Sequence, residues 1–181
     1  MEQKRIVFTR QEMYEINKNL LEERGVTLES IAEIAYRQQA KYNPNLDMKE
    51  CLDSVKKIIS YRDIFHLILL GVEIDKLTEQ RKLSSPLQDI LEADLGLFGV
   101  DEIFGLSIAQ EFGVIGQTNF GDIDVNKPGI VKKLNEDGKA GCVQCHTFLD
   151  DIVGAIAAAA STRVAQMISE REALKDAGVE E

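Results

Sequence analysis

The sequence predicts an all-α fold, a single-domain helical bundle with a C-terminal helix of small side chains at its centre. Three observations predict it. Apolar residues recur at three- and four-residue spacing along most of the chain, and no stretch alternates convincingly with period two. Helix-start patterns, a Thr or Asp followed three residues later by Glu, precede several of these runs. The stretch GAIAAAAS, residues 154–161, is small on every face, which lets neighbouring helices approach closely. The 181 residues suit one domain, 1–181, with amphipathic helices over 1–75 and a region carrying acidic motifs over 76–181.

The elements follow in order. Thr9-x-x-Glu12 reads as a capping box, with Met13, Ile16, Leu20 and Leu21 on one face and Gly25 as the stop. Thr27 caps a second helix with Leu28, Ile31, Ile34 and Ala35 inward, broken by Asn43-Pro44-Asn45. Asp47-x-x-Glu50 opens a third, with Leu52, Val55, Ile58 and Ile59 inward. It is expected to run on into YRDIFHLILLG and to bend at Gly71, with EIDKLTEQRKL as a separate short helix. Ser85-Pro86 places a cap before a first-turn proline, and Gly96 closes that helix. VDEIFGLSIAQEFG predicts a helix ending near Gly113. Residues 114–141, richer in Gly, Asn and Asp, read as loop around one short helix at KPGIVKKLNED. Thr147 is expected to cap a last helix from about Phe148 to Ala173.

Composition narrows the function. With 44% hydrophobic and 29% charged residues the chain is an ordinary globular protein that needs no disulfides or structural metal to build a core. A net charge of −10 excludes the basic stripe of a nucleic-acid binder and opposes adsorption to an anionic membrane without a local basic patch or a cation. Lys4, Arg5, Arg10 and Lys132-Lys133 are the candidates for head-group contact, and a solvated face is the simpler reading. The start of the chain lacks the apolar run of a signal peptide, and IFHLILLGV and IVGAIAAAAST are too short to span a bilayer. The expected location is cytoplasmic, where thiols stay reduced.

Cys142-x-x-Cys145-His146 offers metal-ligand types, but each chemistry lacks a partner. Haem attachment needs export and an axial ligand. A zinc site needs a fourth ligand from Cys51, His66 or a carboxylate. A redox pair needs a strand before the helix. These read as loop thiols beside a helix start, with His146 as a minor phosphate contact or support.

The acids carry more. Asp150 and Asp151 open the apolar last helix, where the dipole favours negative charge. Thr147-x-x-Asp150 resembles a capping box, which accounts for one acid but not two. Adjacent helical side chains diverge by about 100°, so the two acids are expected to address different ligands, or one to bind while the other caps. Asp101-Glu102 opens another apolar helix, and alone it reads as a solvated helix start. Asp122 and Asp124 are expected in a loop, with Asp124 and Lys127 as a surface pair. Taken together, several acids and one lysine can assemble an oxygen-rich Mg2+ site for phosphate chemistry, since close carboxylates repel without a cation between them.

The motifs D-E-x-x-G at Asp101–Gly105, D-x-x-K-P at Asp124–Pro128 and D-D-I-V-G at Asp150–Gly154 resemble, in order and spacing, the phosphatidylglycerophosphatase A family. The likeness covers about the last hundred residues and is greatest to the soluble branch from Gram-positive bacteria that includes the low-temperature-requirement C proteins. It implies a Mg2+-dependent phosphomonoesterase acting on phosphatidylglycerophosphate. This branch either reaches the lipid peripherally from the inner face of the membrane or cleaves a related soluble phosphate ester. The P-G-T-x-G-S-like segment of the integral-membrane members does not occur here. The implied metal ligands are Asp101, Glu102, Asp124, Asp150 and Asp151, for Mg2+ or alternatively Mn2+. The implied catalytic groups are Asp150, Asp151 and Lys127: the lysine stabilises phosphoryl charge, and an acid serves as general base or as an aspartyl nucleophile. Two other readings stand beside this one, a helical nucleoside-triphosphate pyrophosphohydrolase and a non-catalytic helical oligomer holding a structural cation. Flat amphipathic and small-residue faces point to a homo-oligomer.

Overall fold

A computed structural model of the chain describes residues 6–96, 98–138 and 144–178. Among these residues there are nine helices and no strand: α1 (Arg10–Glu23), α2 (Leu28–Ala40), α3 (Met48–Ile58), α4 (Arg62–Glu79), α5 (Leu87–Glu92), α6 (Val100–Gln110), α7 (Gly113–Asn126), α8 (Ile130–Asp137) and α9 (Leu149–Asp176). The fold is all-α, as predicted.

Helix α9 is the axis. It packs against α2, α3, α4, α6, α7 and α8, while α1 and α5 pack on α4. Every residue from 149 to 162 is buried, which only small side chains on all faces permit. Among the described residues α9 is the one helix long and apolar enough to cross a bilayer, but 67% of its most apolar window is already covered by protein. Its apolarity therefore serves the core.

Local signals set the first three helices. Thr9 and Glu12 form a reciprocal capping box, as do Asp47 and Glu50, and Thr27 caps α2 by accepting the Ser30 N–H. Gly25 adopts φ 77° just past α1, a conformation open to glycine at little cost.

The middle of the chain departs from expectation. α3 does not run on into α4: the Ser60 hydroxyl donates to the Lys57 carbonyl at 2.6 Å and Tyr61 turns extended, so the ladder stops and restarts. Gly71 is not a bend. It lies inside α4, where a Cβ would sit 2.3 Å from Ile152 Cδ1, so it admits α9 at close range. EIDKLTEQRKL is not a separate helix, because α4 continues to Glu79 and ends before Arg81 at φ 52°. Pro86, not Ser85, occupies the N-cap of α5, which ends at Glu92 rather than near Gly96.

Residues 113–126 are helix, not loop, so Asp122 and Asp124 are helical. Gly113 starts α7 and does not close α6. The glycines lower intrinsic propensity, but Phe120 and Ile123 are buried, and packing outweighs propensity. Gly116 is required by contact: a Cβ there would lie 2.2 Å from the Ala109 carbonyl oxygen. Lys127 ends α7 in the left-handed region at φ 41°, donating its N–H to the Ile123 carbonyl at 2.7 Å, and Pro128 prevents continuation.

Candidate active site

The acidic motifs converge because their glycines let helices touch. A Cβ on Gly105 would lie 2.5 Å from Phe120 Cζ and 3.1 Å from the Asp151 carbonyl oxygen; one on Gly154 would lie 3.2 Å from Ile123 Cγ2. Thus α6 and α7 close on the first turns of α9. The ring of Phe148 meets Phe104 edge-on at 5.0 Å and Phe98 at 6.2 Å, pinning the start of α6 to the start of α9.

Two groupings result. Ligand atoms of Asp101, Glu102 and Asp151 lie within 4.8 Å of one another. Asp101 Oδ1 and Glu102 Oε2 are shielded from solvent and accept no hydrogen bond. Buried carboxylate oxygens without donors are costly unless a cation or proton completes them. The second grouping surrounds Lys127: its Nζ is 2.8 Å from Asp124 Oδ1, 3.2 Å from Asp150 Oδ2 and 3.4 Å from Asp151 Oδ1. Asp151 belongs to both groupings. The two adjacent acids of α9, expected to address different partners, share the lysine.

The charges confirm the crowding. Burial first, then Asp150, push Asp151 up to about 9, against the pull of Lys127. Burial first, then Glu102, raise Asp101 to about 7. Asp150 rises to about 6 by burial, opposed by Lys127. Burial disfavours the Lys127 charge, yet Asp150, Asp124 and Asp151 outweigh it and hold the ammonium well above its ordinary range.

The donor set fits Mg2+ or Mn2+: all three ligands are hard carboxylates, and two supply oxygens with no protein partner. Of the five acids named from sequence, Asp101, Glu102 and Asp151 form this set, whereas Asp124 and Asp150 turn to Lys127. Asp122 takes part in neither, accepting instead from Asn126 and Gln38 on the exposed side of α7.

A family model for phosphatidylglycerophosphatase A matches residues 25–166. The chain belongs to the phosphatidylglycerophosphatase A family. The match begins at the end of α1, well ahead of the acidic motifs. Among relatives in Bacillus subtilis (strain 168), YpjQ is 48% identical over 158 residues, covering 87% of each chain. YutG is 50% identical over 145 residues, covering 80% of this chain and 86% of its own. The crystal structure of low temperature requirement C protein from Listeria monocytogenes superposes with a TM-score of 0.81 at 46% identity, covering 87% of this chain and 97% of that one.

Several site residues of this phosphatidylglycerophosphatase A family member gave no signal in the sequence. Thr147 does not cap α9; its hydroxyl points to Asp94 Oδ1 at 3.4 Å and lies 3.5 Å from Cys145 Sγ. The cap is Asp75 of α4, whose two carboxylate oxygens accept the N–H groups of Phe148 at 3.2 Å and Leu149 at 3.1 Å. Asp94, held at φ 46°, lies close enough to Asp150 to add to its upward shift. Asp150 Oδ1 in turn accepts the Asp151 N–H at 2.9 Å.

Of the thiol motif, Cys142 lies outside the described residues, as do Lys4 and Arg5. Cys145 is buried with its Sγ 3.7 Å from Asp75 Oδ1, and burial pushes the thiol up to about 11. A proton-bearing thiol is a poor nucleophile and metal ligand. His146 faces Arg24 at 3.4 Å, and burial together with that guanidinium lowers it to about 4. It borders a groove lined also by Glu23, Lys133 and Asp137 and by none of the five acids of the two groupings.

Proposed function

We propose that the chain is a divalent-cation-dependent phosphatase that hydrolyses phosphatidylglycerophosphate to phosphatidylglycerol and orthophosphate. The carrying observation is the convergence of the unpartnered Asp101 and Glu102 oxygens with Asp151, itself in contact with Lys127. Family membership supports the phosphomonoester substrate.

Asp101, Glu102 and Asp151 would hold Mg2+ or Mn2+, which when bound withdraws charge from phosphoryl oxygen and acidifies water. The ammonium of Lys127 binds the remaining phosphoryl oxygens as a point charge. Asp124 and Asp150 hold that ammonium in place and keep it charged. Asp150, shifted toward neutrality by burial, accepts the proton of the attacking water. The water oxygen bonds to phosphorus, the phosphorus–ester oxygen bond breaks, and the glycerol oxygen leaves as the alcohol with the proton that Asp150 took up.

The lipid is reached peripherally at the inner face of the membrane. Two observations support this: exposed Val100, Ile103 and Val125 flank Asp101, Glu102 and Asp124 in sequence, and the described cysteines Cys51 and Cys145 are free thiols, which suits a reducing compartment. Self-association of the chain belongs to the same proposal and is read from its sedimentation.

The test is phosphate release from phosphatidylglycerophosphate in mixed micelles, with Mg2+ and with chelator, by wild type, Asp150→Asn and Asp151→Asn. Orthophosphate released only by wild type with Mg2+ is the expected result. Release that persists in chelator or in Asp151→Asn, or pyrophosphate formed from nucleoside triphosphates instead, would sink it.

A further inference from the structure

Asp75 is fully buried, and among the described residues it forms no ion pair with Lys or Arg. It stands on one face of α4 with Gly71 and Glu79, at successive spacings of four, so the three side chains form a row. That row meets residues 145–152 in order. Glu79 Oε1 accepts the Cys145 N–H at 2.8 Å. The Asp75 carboxylate accepts from Phe148 and Leu149. Gly71 admits Ile152 and the Phe148 Cβ at distances no larger residue allows. Arg24, just past the end of α1, closes the arrangement, bridging Glu79 at 2.5 Å and the Cys145 carbonyl at 2.6 Å.

A helix start needs no such device. Thr147 stands one residue before the N-cap position of α9, yet its hydroxyl is turned to Asp94. Burial raises the Asp75 carboxyl well above its ordinary range, against the pull of the Phe148 N–H, Arg24 and the Leu149 N–H. This acid is therefore a costlier cap than a local hydroxyl. What the distant cap adds is constraint, because it ties the first turn of α9 to α4 in both rotation and height. Asp150 and Asp151 occupy that turn.

We propose that Asp75 is the positioning residue of the acidic site: from α4 it fixes the first turn of α9, and so sets Asp150 and Asp151 against Lys127, Asp101 and Glu102. The inference rests on the reading that Asp101, Glu102 and Asp151 hold a divalent cation. Groups that orient metal ligands without touching the ion typically change affinity by about 10- to 100-fold when removed.

The experiment is calorimetric titration of the full chain with Mn2+ alone, comparing wild type, Asp75→Asn and Val164→Ala. Asn keeps the size of Asp but offers one acceptor for two N–H groups. Val164 is buried further along α9, so its truncation reports general loosening of that helix. Expected are wild-type affinity in Val164→Ala and a loss of about ten-fold or more in Asp75→Asn, with helical circular dichroism retained. Wild-type affinity in Asp75→Asn, or an equal loss in Val164→Ala, overturns the positioning role while leaving the cation site standing. No saturable Mn2+ binding by wild type overturns both. Should Asp75→Asn fail to fold, Gly71→Ala replaces it: the added methyl displaces Ile152 from the same row without altering charge, with the same expected loss and the same overturning result.

Discussion

Lys127 Nζ lies 3.4 Å from Asp151 Oδ1 while Asp124 and Asp150 hold it from two other sides, so one ammonium serves three carboxylates. Without a metal ion it is the charge that makes the site tolerable. The backbone reinforces the placement: Lys127 is left-handed, a conformation costing a non-glycine residue about 1 kcal/mol or more.

Replacing Lys127 with Met keeps the stem and removes the charge. Three acids, two of them buried, are then left uncompensated. Breaking a buried pair from one side costs roughly 3–5 kcal/mol, and because this side chain is 26% exposed the low end, about 3 kcal/mol, is expected. Urea unfolding without metal measures it. Millimolar Mg2+ should restore part of the loss, and turnover should remain at least about 100-fold down. Unchanged stability would mean that the acids are already neutral.

The opposite trade is expected at the donor set. Asp101→Asn or Glu102→Gln removes one of two crowded acids, each with one buried oxygen that accepts nothing from the protein. In chelator these variants should unfold at the same urea concentration as wild type or a higher one, a gain of at most about 1 kcal/mol. Their turnover should fall by about 100-fold or more, and saturation by Mg2+ should disappear. A variant that lost stability in chelator but kept its turnover would place these acids in the scaffold instead.

How far the sequence reached depended on the range of each signal. The capping boxes of Thr9 and Asp47 were legible because donor and acceptor lie three residues apart. The cap of α9 was not, because Asp75 is 73 residues from Phe148 and the nearby Thr147 offered a local alternative. α7 was hidden by glycines whose purpose, close approach to α6, exists only in the folded chain. Unlike Asp75 and Asp94, the five acids of the two groupings, Asp101, Glu102, Asp124, Asp150 and Asp151, were visible as motifs. Their division into cation donors and lysine partners was not, since it depends on which way α6 and α7 face α9.

The glycines of the motifs make a graded prediction. Gly105→Ala drives a methyl into Phe120 at 2.5 Å and the Asp151 carbonyl at 3.1 Å, so α6 must move off α9. Overpacking of this kind costs about 1–3 kcal/mol, and here it also separates Asp101 and Glu102 from Asp151. Gly154→Ala meets the Ile123 methyl at 3.2 Å and Phe120 and Val131 at ordinary contact distances of 3.7 and 3.8 Å, and should cost less. Thermal unfolding and Mn2+ affinity, measured on both, should rank them in that order. The reverse ranking would show that the D-E-x-x-G glycine does not set the spacing of the donor acids.

Protons and cations should compete. In the metal-free fold Asp150, Asp101 and Asp151 are raised to about 6, 7 and 9 from an ordinary 3.8, by burial first, with Asp94 adding at Asp150, Glu102 at Asp101 and Asp150 at Asp151. Between pH 4 and those values the folded chain holds protons that the unfolded chain has released. More protons on the native state means that stability falls as pH rises through this window. His146, lowered to about 4 from 6.5, works the other way, adding stability as pH rises between those two values, but it is one group against three. In chelator the melting temperature should therefore decline from pH 6 to pH 9. Mg2+ can occupy the site only as the protons leave, so the rise in melting temperature that it produces should be small at pH 6 and largest at pH 9. Paired melts with Mg2+ and chelator across this range measure both slopes. A Mg2+ effect independent of pH would mean that the ion binds elsewhere than at Asp101, Glu102 and Asp151.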